Sequence, residues 1–321
     1  MTTLRSSLLW VAALLYVGVA PAYGLTIDLI VTPEDPKTVL PPALLAPSSG
    51  ISIVPGSATF VGRVGDGVDA NTAQSATYSG FNLVSPNGLP TITNPQGIFL
   101  TSGTANIPFT NTEAAFSPVM TAGTATEPGT GGDADLSAIL MAAGAPSSLV
   151  NDVNSLTFRF VVAPGQTSVS AKFVVGSDEF PDQEVTDVFA FIVDGVNYAR
   201  FQDGSLVSFL TGANAGNFND NDVDTGNYPL EYDGISNSLD VVGLLNPALS
   251  EHTLKIAIAD TEDDVFDSGV FIGALAAGTA QAGGINPGSR VPEPATLILL
   301  GTGLAALAAR YTRKRNSSKS L

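Results

Sequence analysis

Residues 156 to 175 alternate apolar and polar positions with a period of two. The stretch "LTFRFVV" sets Leu156, Phe158, Phe160 and Val162 on one side, and "SVSAKFVV" does the same with Val169, Ala171, Phe173 and Val175. Successive side chains of a β-strand point to opposite faces, so this period describes strands with one buried face, not an amphipathic helix. Pro164-Gly165 between the two runs is a turn signal.

The same pattern continues along the chain. The segment "DVFAFIVDGVNYARF" (187–201) contains Asp194-Gly195. This pair suits a two-residue type I′ hairpin, because both turn positions need positive φ. Two further strands are expected in "TLKIAIAD" and "SGVFIGAL". Strands with one apolar face bury it by stacking two sheets, so an all-β fold is expected over residues 51–280. Its form is an antiparallel β-sandwich, jelly-roll-like. One short helix is expected inside it, in "DADLSAILMAAG" (133–144), with Asp133 or Asp135 as N-cap and Gly144 and Pro146 at its end. Residues 25–50 are Pro-rich and read as an extended lead-in with one edge strand, and residues 281–291 read as a linker.

The two ends of the chain differ from this middle. Residues 1–24 have one basic residue, Arg5, an apolar run from Leu8 to Ala20, and small residues after it. Ala20-Pro21-Ala22 or Ala22-Tyr23-Gly24 fits a small-x-small cleavage site, which makes the segment a signal peptide. At the other end, Pro292-Glu293-Pro294 leads into fifteen uncharged residues, Ala295 to Ala309. Arg310, Arg313, Lys314 and Arg315 follow, and residues 316–321 form the tail. A hydrophobic helix over this run would span roughly 22 Å, marginal for a membrane crossing of about 20 residues. It is apolar on all sides, unlike a helix packed on a domain surface, and the basic cluster would stay cytoplasmic. These residues closely resemble the PEP-CTERM sorting signal. The resemblance implies export in a Gram-negative bacterium, a transient stay in the inner membrane, and recognition of Pro292, Glu293 and Pro294 by an exosortase that removes the tail. The destination it implies is the outer cell surface or extracellular matrix.

Charge narrows the partners. The chain has 30 acidic and 13 basic residues, and six of the bases lie in the two terminal segments. Residues 25–290 therefore hold 29 acids against 7 bases, a net charge of −22. Nucleic acid is excluded as a partner, because binding it depends on Lys and Arg neutralising phosphates. Cysteine is absent, which removes disulfides, thiol nucleophiles and Cys-type zinc sites. His252 is the only histidine and reads as an exposed residue at the start of a strand.

The acids gather in three loops: "GSDEFPDQEVTD" (176–187), "NDNDVDTGNYPLEYDG" (219–234) and "ADTEDDVFDSG" (259–269). Clustered carboxylates suit calcium, a hard cation that takes oxygen ligands. The middle loop leads. With Asp220 as position 1, Asp222, Asp224 and Glu231 fall at positions 3, 5 and 12 of an EF-hand loop. Position 6, normally glycine, is Thr225, with Gly226 one place later, and no helices flank the loop. The alternative ligands are Asp178, Glu179 and Asp187 in the first loop and Asp260 and Asp267 in the third.

Paired carboxylates could also cleave a glycoside, but in so acidic a chain such pairs carry no specificity. No nucleophile or phosphate-binding motif is present, so the chain reads as non-enzymatic. Calcium-dependent carbohydrate binding, with an exopolysaccharide as partner, is the alternative to a structural or adhesive role in the matrix. The exported region has no tryptophan, which leaves Tyr78, Tyr198, Tyr228 and Tyr232 as candidate stacking surfaces.

Several stretches together are similar to the choice-of-anchor L domain, over roughly residues 60–278. They are "GIFLTSG" (97–103), "DADLSAIL", Gly176 through Phe180, Thr186 through Phe191, and Ala259 through Phe271. The resemblance implies an extracellular β domain placed ahead of a surface-attachment signal. It names no activity.

Overall fold

A computed structural model describes residues 24–65, 72–107, 109–112, 132–145, 147–180, 187–201, 204–208, 215–262 and 266–287. Residues 1–23 of the expected signal peptide, the Pro292-Glu293-Pro294 triplet and the expected C-terminal hydrophobic helix lie outside the described residues.

In chain order the first elements are β1 (Thr26–Leu29), α1 (Asp35–Thr38), α2 (Leu40–Leu44), β2 (Ile51–Ile53), β3 (Thr59–Val61), β4 (Ser75–Leu83) and β5 (Ile92–Thr101). Next come α3 (Ala134–Ala143), β6 (Val150–Val162), β7 (Ser168–Ser177), β8 (Val188–Val193) and β9 (Val196–Asn197). The rest are β10 (Phe218–Asp220), β11 (Gly234–Ser236), β12 (Leu239–Leu244), β13 (His252–Thr261), β14 (Ser268–Gly278) and β15 (Gly284–Pro287).

These strands form the expected antiparallel sandwich. The larger sheet runs β1-β4-β5-β14-β7-β11-β10, with β12 pairing both β7 and β15. The smaller runs β2-β6-β13-β8-β9, with β3 also on β6. Alternation decides which side chains meet between them. Leu156, Phe158 and Phe160 of β6 and Val169, Ala171, Phe173 and Val175 of β7 enter one core with Phe189 and Phe191 of β8. Burying one such phenylalanine contributes about 1.5–3 kcal/mol.

The opposite faces are covered as well. Ala190 and Ile192 of β8, with Ala257 and Ala259 of β13, pack under Leu136 and Leu140 of α3. Asp133 caps α3, its Oδ1 accepting from the backbone N of Asp135 and Leu136 at 3.0 and 3.1 Å. Gly144 closes the helix at φ 73°. The hairpin at Asp194-Gly195 has both φ values positive, 49° and 83°, as a type I′ turn requires.

Residues 25–50 form more than an extended lead-in. β1 pairs with β4 at the edge of the larger sheet, but two short helices follow it. Prolines occupy the N1 or N2 positions of both, where the missing N–H leaves no helical bond unmade. Their purpose in the fold is visible in Leu40 and Leu44, which are fully buried in the main core.

Candidate functional site

Strand order brings the three acidic loops to one end of the larger sheet. Ser177, the last residue of β7, is paired with Ser268 on one side and Gly234 on the other. Asp178 follows Ser177, Asp267 precedes Ser268 and Asp233 precedes Gly234, so antiparallel pairing sets these three acids side by side. The backbone N of Asp178 donates to the carbonyl O of Asp267 at 3.2 Å. The backbone N of Asp233 donates to Asp178 Oδ1 at 3.3 Å.

A lid of aromatic residues covers this row. Tyr228, Leu230 and Tyr232 pack against Phe99, Val174 and Phe271 on the outer face of the larger sheet. Tyr232 lies directly on glycine: a Cβ at Gly176 would collide with its ring, and one at Gly269 with its hydroxyl. The Tyr232 hydroxyl shares a 3.3 Å hydrogen bond with Thr101 Oγ1. Since Gly176 and Gly269 point outward under Tyr232, the next outward positions along β7 and β14 are Asp178 and Asp267.

The row is dry. Asp178, Glu179, Asp187, Glu231, Asp260 and Asp267 are each no more than 3% exposed. Asp152 and Asp233, also buried, were not among the carboxylates singled out as ligands. No local pattern marks Asp152, whereas Asp233 closes the 219–234 loop. Burial drives the carboxyl of Asp178 well above the ordinary 3.8, and Asp233, Asp267 and Glu231 push it the same way. Burial likewise raises Asp267, followed by the charges of Asp260 and Asp152; the Ser102 hydroxyl and the Arg63 charge pull it back only in part. Asp267 Oδ1 accepts from Ser102 Oγ at 3.3 Å. The Oδ2 atoms of both Asp178 and Asp267 have no hydrogen-bond partner among the described residues.

The EF-hand spacing is distributed differently. Asp220, at the end of β10, and Asp224 are exposed and Asp222 between them is half-buried; Asp220 Oδ1 accepts from Asp222 N at 3.2 Å and Thr225 Oγ1 at 3.0 Å. Glu231 leaves that stretch and is buried, accepting from the hydroxyls of Thr110 and Thr112 and from Thr112 N. Asn221 organises the loop: its Nδ2 donates to the carbonyls of Leu230 and Tyr232 at 2.7 and 2.8 Å, and its Oδ1 accepts from Tyr228 N at 2.6 Å. The alternation of Tyr228, Leu230 and Tyr232 marks a segment that packs on the sheet rather than a ligand loop, but it does not mark the burial of Glu231 between them. Among the described residues no three acidic or histidine side chains are gathered as a metal centre.

Two other expectations are corrected. His252 does open β13, but it is buried, and its Nδ1 lies 2.8 Å from Asp194 Oδ2. Tyr78, Tyr228 and Tyr232 are buried too, so of the four tyrosines only Tyr198 has a partly exposed ring.

At the opposite end of the sandwich, the β6–β7 turn and the β12–β13 loop border a cavity of about 490 Å³ whose lining includes His252, Gln166 and Asn246. Among the described residues no helix is long and apolar enough to cross a membrane.

Comparison with known families gives two matches. The Choice-of-anchor L domain matches residues 63–277, and the PEP-CTERM protein-sorting motif matches residues 290–314. Searches of curated proteins and of solved structures found no match.

Proposed function

The chain belongs to the choice-of-anchor L domain family and carries a PEP-CTERM sorting motif behind that domain, and from this we propose a structural or adhesive role, without catalysis, in the extracellular matrix. The motif makes the protein an exosortase substrate exported through the membrane to the cell surface. The observation that carries the proposal is the order of these parts. β15 closes onto β12 at residues 284–287, and the sorting motif begins at residue 290. A link this short keeps the folded domain at the membrane face while the tail is processed, and the domain is what reaches the surface.

The surface chemistry supports a matrix role. A net charge of −22 over residues 25–290 keeps such domains apart unless cations intervene, and a neutral or cation-bridged exopolysaccharide is the partner that suits it. Burial of three of the four candidate tyrosines weighs against a sugar-stacking platform.

The test compares a deletion strain with its parent and with the deletion complemented by the wild-type gene. Loss of cohesive matrix, restored by the wild-type gene, is the expected result. Unchanged matrix, or turnover of the host's exopolysaccharide by the purified protein, overturns the proposal.

A further inference from the structure

Six of the seven bases in residues 25–290 lie among the described residues. Of these, Arg159 is paired with Glu251, Lys172 with Asp240, and Lys255 with Asp133 and Asp135. Arg200 Nη1 donates to the carbonyl of Gly204, and Lys37 is exposed on α1. Arg63 acts on Asp267, and the seventh, Arg290, lies outside the described residues. A buried carboxylate without a partner is strongly unfavourable, and native proteins pair such groups or place a metal among them.

Acidity alone would not locate a ligand. The separate observation is the pair of oxygens left over: Asp178 Oδ2 and Asp267 Oδ2, both fully shielded, have no hydrogen-bond partner among the described residues. They belong to neighbours, joined by the 3.2 Å bond from Asp178 N to Asp267 O, and they sit in the same outward row beneath Tyr232.

We infer that Asp178 and Asp267 bind a calcium ion at the strand ends of β7 and β14, beneath the 228–233 segment. Two carboxylates balance a divalent charge. Calcium takes about six to eight oxygens in a flexible shell that includes carbonyls and waters, so it does not require the three gathered acidic side chains that are absent here. Magnesium fits less well, because it demands a tight octahedron and gives up water reluctantly. The ion would fasten loops that are about 90 residues apart in sequence, and this role is independent of the matrix function proposed above.

The test uses the intact chain in mild detergent, stripped with a chelator and then titrated with calcium chloride or magnesium chloride. Extracellular calcium modules bind at about 0.1–1 mM. At a concentration about 100-fold above the dissociation constant, a rise in melting temperature of roughly 5–10 °C is expected, with a smaller rise in magnesium. The double variant Asp178→Asn/Asp267→Asn should lose both the shift and the calorimetric binding. Asp222→Ala/Asp224→Ala, on the turn after β10, should keep them. Asparagine has the shape of a protonated aspartate, so the first variant also separates a proton from a cation. If the wild type shows no calcium binding, or if the asparagine pair keeps the shift, the site is not there. Should the double variant fail to fold, Asp178→Asn alone decides by the same criterion.

Discussion

Asp194 holds the β12–β13 loop to the β8–β9 hairpin through His252, whose Nδ1 lies 2.8 Å from Asp194 Oδ2. The same carboxylate accepts from the backbone N of Asn246 at 2.9 Å and, through Oδ1, from Thr253 N at 2.9 Å. Its side chain is only 4% exposed. Removing it leaves the partly buried donors of His252 and Thr253 unsatisfied, at about 1–3 kcal/mol each. Asp194→Ala should therefore lower the melting temperature by roughly 6–12 °C for a loss of about 3 kcal/mol. Asp194→Asn, which tolerates the positive φ and keeps an acceptor, should lose less. A melting curve for the alanine variant that overlays the wild type would show that this contact braces nothing.

In chelator, mild acid should stabilise the protein. Asp178 and Asp267 have folded-state pKa values raised above 3.8, first by burial and then by neighbouring acids. Between 3.8 and those raised values the folded state holds more protons than the unfolded state, so stability falls as pH rises through that window. The contribution is fully present below 3.8 and spent above the folded values. Moving from pH 8 to pH 5 should raise the melting temperature, and Asp178→Asn should flatten the slope. A melting temperature that falls steadily over the same interval in chelator would contradict the burial of these groups.

Gly176 should not tolerate a side chain. A Cβ there collides with the ring of Tyr232, and overpacking of this kind costs about 1–3 kcal/mol. The effect of Gly176→Ala should be local, with the 228–233 segment lifting from the sheet. Hydrogen exchange would read this as faster exchange at Leu230, Tyr232 and Asp233, while β6 and β13 keep their protection. Unchanged exchange in that segment would mean the ring is free to move aside.

Glu293→Ala should leave export intact and block removal of the tail, because Glu293 lies in the matched sorting motif. Unprocessed chain should accumulate in the inner membrane. Intact-mass spectrometry of the wild-type surface protein decides the matter, since finding residues 295–321 still attached would remove the basis for the expectation.

Period-two alternation from Leu156 to Val175, the Asp194-Gly195 turn, the caps of α3 and the C-terminal sorting motif were all legible in the sequence. Each is governed by residues within a few positions of one another, through side-chain direction, positive φ or helix-end hydrogen bonding. The buried faces of β6 and β7 followed from the same local rule. Spacing along the chain also grouped Asp220, Asp222, Asp224 and Glu231, but tertiary packing sends Glu231 inward because Tyr228, Leu230 and Tyr232 gain more by covering Phe99 and Phe271 than by staying in water. Only the strand order β14-β7-β11 decided that Asp178, Asp233 and Asp267 stand together. That order depends on pairings between residues about 90 and 55 positions apart, and no local pattern encodes which distant edge a strand will join.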